Sequence, residues 1–186
     1  AYRRLGRLAE QQPNQMYQSW SEYGEAQGHL INGAPEIALR LAEQARITRR
    51  GVGDHLSACI IEGVLGRAAC DLGDYDRAAW HARRALSWGT RLPPSNFTSL
   101  EGIAAPAQLA ARAAIARGEN TPALKELQRR GRRLLWLYSA IFPFAGPRLA
   151  YVDGLISEAR GDTAGACRRI GRALAKADAL DMAHEA

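Results

Sequence analysis

The chain has 186 residues, 47% of them hydrophobic and 24% charged, which is enough for one domain with a true core and excludes wholesale disorder. Its net charge of +6 comes almost wholly from arginine, 23 residues against Lys125 and Lys176; with the abundant alanine, this bias reflects codon usage as much as a selected patch. The longest apolar run, residues 134–145, is broken by Pro143 and is shorter than the roughly 20 residues of a membrane span, so no membrane contact is expected.

Cys59, Cys70 and Cys167 form no CxxC and leave one unpaired, so free thiols in a reducing, cytoplasmic compartment are expected. The sequence opens on Ala1-Tyr2 without an initiating Met and stops at Ala186 in what reads as a new helix. It is therefore expected to be a fragment of a longer chain.

In chain order, the stretch 11–14 separates an opening helical remnant from a first helical hairpin, with helices over 15–32 and 34–50. Gly51-Val52-Gly53-Asp54 leads into a second hairpin. There Leu65, Ala68, Ala69 and Leu72 follow the i, i+3, i+4, i+7 spacing of one helix face, and the pattern restarts after Gly73 with Tyr75, Ala78, Ala82, Ala85 and Leu86. Gly73 can adopt the left-handed conformation that closes a helix, and Asp74 can cap the next. Gly66, Ala78 and Ala85 are small enough to let the two helices approach closely.

Leu92-Pro93-Pro94-Ser95 breaks the chain before a third hairpin, with Ser95 as its N-cap. Pro106 either kinks that hairpin's first helix or starts it late. Pro122 suits the first position of a long helix running to about residue 140, before the 143–147 turn. Gly33, Gly73, Gly118 and Gly161 each precede the same restart, spaced 40, 45 and 43 residues apart. A helix-turn-helix repeated at this period predicts an all-α fold, an α-solenoid. It forms a single domain of about four hairpins over 15–50, 55–90, 97–140 and 147–179.

Ingredients for catalysis are poor. His29, His55, His81 and His184 are scattered, with no HExxH and no carboxylates at metal-ligand spacing. There is no phosphate-cradling GxxxxGK[ST] and no GxSxG, and Gly51-Val52-Gly53 is only a linker. His81 reads as a partly exposed repeat residue, and each cysteine as a buried small hydrophobe. No enzyme activity, cofactor or metal is expected.

Arginine clusters at 46/49/50, 83/84, 129/130/132/133 and 168/169/172 fall on the second helix of each hairpin, mostly in later turns where cations suit the helix dipole. They read as a solvated outer face. A phosphate-binding stripe is the alternative, although aromatic residues are not interleaved with them as single-strand binding requires. Trp136, Tyr138, Phe142 and Phe144 are expected to fill a wide gap between the third and fourth hairpins, the alternative being an exposed patch for a partner.

Gly66, Gly73, Tyr75, Ala78, Ala85 and Leu86 resemble the tetratricopeptide repeat (TPR) pattern, and Gly154, Gly161, Ala166, Ala173 and Leu174 resemble it again. Units one and three depart from it: Ala26 and Ala111 replace the early Gly, Gly131 stands where Leu is usual, and the periods exceed the repeat's roughly 34 residues. In the second half, Glu101-Gly102, Phe142-Pro143, Pro147-Arg148 and RGDTAGACRRIGRALAKADALDM are similar to the C-terminal repeat region of large bacterial signalling proteins. Those proteins join class III nucleotidyl cyclase or other output domains to a P-loop ATPase.

The resemblance implies a non-catalytic protein–protein interaction or regulatory module, with any cyclase or ATPase chemistry outside this sequence. In such repeats the first helix of each hairpin lines a concave groove. The glycine register carries that groove onto Tyr23, Gln27 and Ile31; Arg67, Cys70 and Asp71; Gln108 and Arg112; and Arg148, Tyr151 and Glu158. Arg67 and Arg112 take equivalent places in successive hairpins, and two guanidinium forks on one wall suit an acidic peptide segment. The implied partner is a protein or peptide, including other domains of the same chain, and homo-oligomers are compatible with it. The alternatives are a nucleic-acid-contacting module using the outer arginines and a stand-alone adaptor.

Overall fold

A computed structural model describes residues 14–93 and 97–182. The opening remnant and the Ser95 cap lie outside the described residues. Among the described residues all regular structure is helical, as expected, in eight α-helices and two short 3-10 turns. They are α1 Gln15–Ile31, α2 Pro35–Thr48, α3 His55–Asp71, α4 Tyr75–Gly89, α5 Leu100–Arg117, α6 Pro122–Ile141, α7 Gly146–Glu158 and α8 Thr163–Ala179.

Local chemistry explains the boundaries. Asn14 Oδ1 accepts from the Met16 and Tyr17 amides at 3.0 and 3.3 Å, and Asp54, Asp74, Thr121 and Asp162 cap α3, α4, α6 and α8 in the same way. Gly33, Gly73, Gly118 and Gly161 all hold φ between 64° and 81°, the left-handed region an L side chain resists. After each, the next residue donates to the carbonyl five positions back: Ala34 to His29, Asp74 to Ala69, Glu119 to Ala114 and Asp162 to Ser157. This is one closing motif used four times. At the third unit the break falls later than expected: a 3-10 turn, Phe97–Ser99, precedes α5, and Pro106 lies inside that helix, fully buried.

Each odd-numbered helix packs antiparallel against the even one that follows it across these tight turns, and α1, α3, α5 and α7 also touch in succession. The buried face is largely alanine: Ala38, Ala42 and Ala45 on α2; Ala78, Ala82 and Ala85 on α4; Ala166, Ala173 and Ala177 on α8. Small side chains bring helix axes close, so the core gains contact density in place of side-chain bulk. A close approach joins α3 to α5, where Gly63 faces Gly102: a Cβ on Gly63 would stand 2.8 Å from the Gly102 Cα. Gly131 of α6 sits over Pro106 and Ala107, where a Cβ would come within 2.5 Å of the Ala107 nitrogen. That contact explains why position 131 is glycine.

Three sequence expectations need correction. His81 is buried, not partly exposed. Cys59 and Cys70 are buried, but Cys167, on α8, is exposed. The aromatic group divides: Tyr138, Phe142 and Phe144 pack on one another with centroids 4.8–6.3 Å apart, whereas Trp136, on the other side of α6, is 53% exposed.

Candidate binding groove

Of the residues assigned to the groove, the structure brings together those on α1, α3, α5 and α7. Gln27, Leu30 and Ile31 of α1, Arg67 of α3, Thr98, Leu100 and Glu101 around the start of α5, and Arg148 of α7 line one cavity of about 180 Å³. Glu101 is its hub. Its Oε2 lies 3.5 Å from Arg67 Nη1 and 3.6 Å from Arg148 Nη1, so one carboxylate ties α3 and α7 to α5. Arg148, mostly buried, also donates to Gln108 Oε1 at 3.0 Å. Further along the same wall, Arg112 donates to Asp71 Oδ1 at 2.7 Å, a second link between α5 and α3. Burial alone would lower the Arg112 guanidinium pKa; Cys70, Asp71 and Tyr151 together hold it above its ordinary value.

Arg67 and Arg112 therefore both bridge α3 and α5, but in opposite senses, each to a carboxylate of this chain. Tyr23 and Cys70 are corrections: both are buried in the apolar core, Tyr23 among Ala26, Leu30 and the α3 residues Ile60, Ile61 and Val64. At those two positions the register points between helices. Ile31 and Glu158 are exposed, and Tyr151 is half-buried against the core. Glu101 was legible in the sequence only as part of a family likeness; an acid in the first turn of a helix, opposite an arginine of the preceding hairpin, was the signal available for it.

A second polar cluster was missed altogether. Glu62, buried in α3, accepts from His81 Nδ1 at 2.7 Å and from Arg84 Nε at 2.8 Å, both on α4. Burial pushes the Glu62 carboxyl up, but the bonds and charges of His81 and Arg84 outweigh it and leave it below its ordinary value. Arg84 also lies over the Trp80 ring at 4.8 Å, while Arg49 and Arg91 lie over Trp88 at 5.7 and 5.3 Å. Aromatic residues thus meet arginines in space, contrary to the linear reading: Arg84 on α4 through an i+4 neighbour, Arg91 just past α4 through an i+3 neighbour, and Arg49 just past α2 across helices.

Most of these arginines are exposed, as expected, but several are also paired within the chain. Arg49 donates to backbone carbonyls at Val52 and Asp54, Arg129 pairs with Glu126, and Arg132 pairs with Asp153. Among the described residues no group of His, Cys, Asp or Glu is placed to hold a metal ion, and no helix is long and apolar enough to cross a membrane. No protein-family model, curated protein or solved structure matches the chain.

Proposed function

We propose that the chain is a TPR-like, right-handed α-solenoid of four helical hairpins serving as a non-catalytic interaction module. In this reading it is the regulatory tail of a multidomain bacterial signalling protein in the cytoplasm. The observation that carries the reading is the succession of α1, α3, α5 and α7, with Gln27, Arg67, Glu101 and Arg148 of four different helices converging on one cavity. A surface assembled from consecutive units is what an extended peptide can follow. Because Asp71 and Glu101 already balance the groove arginines, the partner segment offers both donors and acceptors; a purely acidic run has first to displace those carboxylates.

The test is selection of binders from a random peptide library, followed by titration of Gln27→Ala and Arg67→Ala. Each variant is expected to weaken binding by about tenfold, with exposed Arg168→Ala as an unchanged control. Failure to select any binder, or binders indifferent to both groove variants, would overturn the reading. Nucleic-acid contact is the second reading, favoured by the Arg84–Trp80 and Arg91–Trp88 stacks. It predicts affinity falling steeply with salt, and salt-insensitive peptide binding counts against it.

A further inference from the structure

A different surface, between the second helices α4 and α6, carries chemistry that the groove does not use. A cleft of about 540 Å³ opens there, and its apolar lining includes Leu86, Ile103, Leu134, Leu137, Tyr138 and Ile141. Adjoining it, and sharing Leu86, Thr90 and Arg130, is a second cleft of about 570 Å³ lined by Arg83, Arg91 and Glu126. The two form one trough with an apolar end and a cationic end.

The register of α6 produces this polarity. Arg129, Arg133, Leu137 and Ile141 follow one another at four-residue steps, and Arg130, Leu134 and Tyr138 form the row beside them, all lining the first cleft. The helix face changes from guanidinium to hydrocarbon over 12 residues, about 18 Å of axis. Leu137 and Ile141 are 47% and 53% exposed, so the apolar end is uncovered hydrocarbon.

At the cationic end, Arg129 is held by Glu126, whose charge also reaches Arg130, and Arg91 lies over Trp88. Arg83, Arg130 and Arg133 have no salt-bridge partner among the described residues. Glu126 is the only carboxylate among the lining residues of either cleft. The imbalance calls for an anion, and the hydrocarbon next to it for an aliphatic chain joined to that anion.

We propose that the α4/α6 trough binds a free single-chain amphiphile, with its alkyl chain along Leu134, Leu137 and Ile141 and its anionic head between Arg130, Arg133 and Arg83. Each cleft falls within the roughly 300–1,000 Å³ of small-molecule sites. A guanidinium fork takes carboxylate or phosphate oxygens in a bidentate manner. The proposal does not rest on the groove reading.

The test is isothermal titration of the full chain with dodecyl phosphate and dodecanoate below their micelle concentrations. Inorganic phosphate supplies the anionic head alone, and dodecyl maltoside the same chain on an uncharged head. The expected result is one-to-one binding of the two anionic amphiphiles, with both comparators at least about tenfold weaker. Arg130→Glu/Arg133→Glu and, separately, Leu137→Glu/Ile141→Glu are each expected to weaken dodecyl phosphate by about tenfold or more. All four positions are exposed, and circular dichroism verifies that both variants retain the parent helicity.

Equal binding of dodecyl maltoside, affinities unchanged in both variants, or no binding by the parent chain would overturn the proposal. So would attachment to phosphatidylglycerol vesicles that free dodecyl phosphate does not compete away, since that marks a lipid surface as the ligand.

Discussion

Replacing Gly102 by alanine tests the contact that joins the second helical pair to the third. A Cβ built there stands 2.5 Å from the Cys59 carbonyl oxygen, 2.6 Å from its carbon and 2.7 Å from its Sγ. Ordinary heavy-atom contact lies near 3.5 Å, so α3 and α5 must part by about 1 Å at their crossing. The nearest atoms are backbone and cannot rotate aside. Overpacking of this kind costs about 1–3 kcal/mol, offset by roughly 1 kcal/mol because alanine is the better helix former, for a net loss of up to about 2 kcal/mol.

Urea unfolding followed by circular dichroism reads this as a midpoint lowered by up to about 1 M at an m-value near 2 kcal/mol/M. Gly171→Ala is the control: nothing lies within 4 Å of its Cβ position, so the substitution is expected to stabilise by up to about 1 kcal/mol. Gly63→Ala presses on the same crossing from the other side, and the double variant is expected to cost less than the sum, because helices already parted accept the second methyl. If Gly102→Ala raises the midpoint as Gly171→Ala does, the close α3/α5 packing is refuted.

Other outcomes follow from the polar clusters and the thiols. Glu62 has a folded pKa below its ordinary value, so its contribution is complete above the unfolded carboxylate range and is lost as pH falls through the folded value. Glu62→Ala is expected to cost about 3 kcal/mol at neutral pH, the low end for a buried pair because Arg84 reaches solvent, and to flatten the acid limb of stability against pH; an unchanged limb contradicts the assignment. A double-mutant cycle on Asp71 and Arg112, both partly exposed, should give a coupling of about 0.5–1 kcal/mol by urea unfolding, and zero coupling would show that the pair is not formed in solution. In the native protein a thiol reagent should modify Cys167 alone: Cys70 is buried, and burial, with Glu62 nearby, pushes the Cys59 thiol up to about 12. Reaction of all three without denaturant would contradict the packing.

What the sequence made legible was punctuation. Four glycines, four restarts and the Asp74 cap mark local backbone demands that one residue type satisfies, and each sits where its spacing placed it. The helical class followed from the same signals. Pairing across units was less legible, because it depends on where side chains meet after stacking. Tyr23 carries the period of a groove face yet turns into the core, and His81 looks solvated beside Trp80 until Glu62 of the facing helix is seen against it. The two ends of the α4/α6 trough lie in plain view along 129–141, but their polarity has meaning only with Leu86, Arg83 and Arg91 opposite. The arginine bias hid the pairing further: with 23 guanidinium groups in the chain, composition does not tell which are spent on internal carboxylates.

The most direct test of the interaction-module account is a proton–nitrogen correlation spectrum of the isotope-labelled chain, titrated with a peptide selected from the library. An interaction groove predicts shifts concentrated at Gln27, Arg67, Glu101 and Arg148, with about tenfold more peptide needed to produce them in Arg67→Ala. Shifts confined to α4 and α6, or a pattern unchanged by Arg67→Ala, would contradict it.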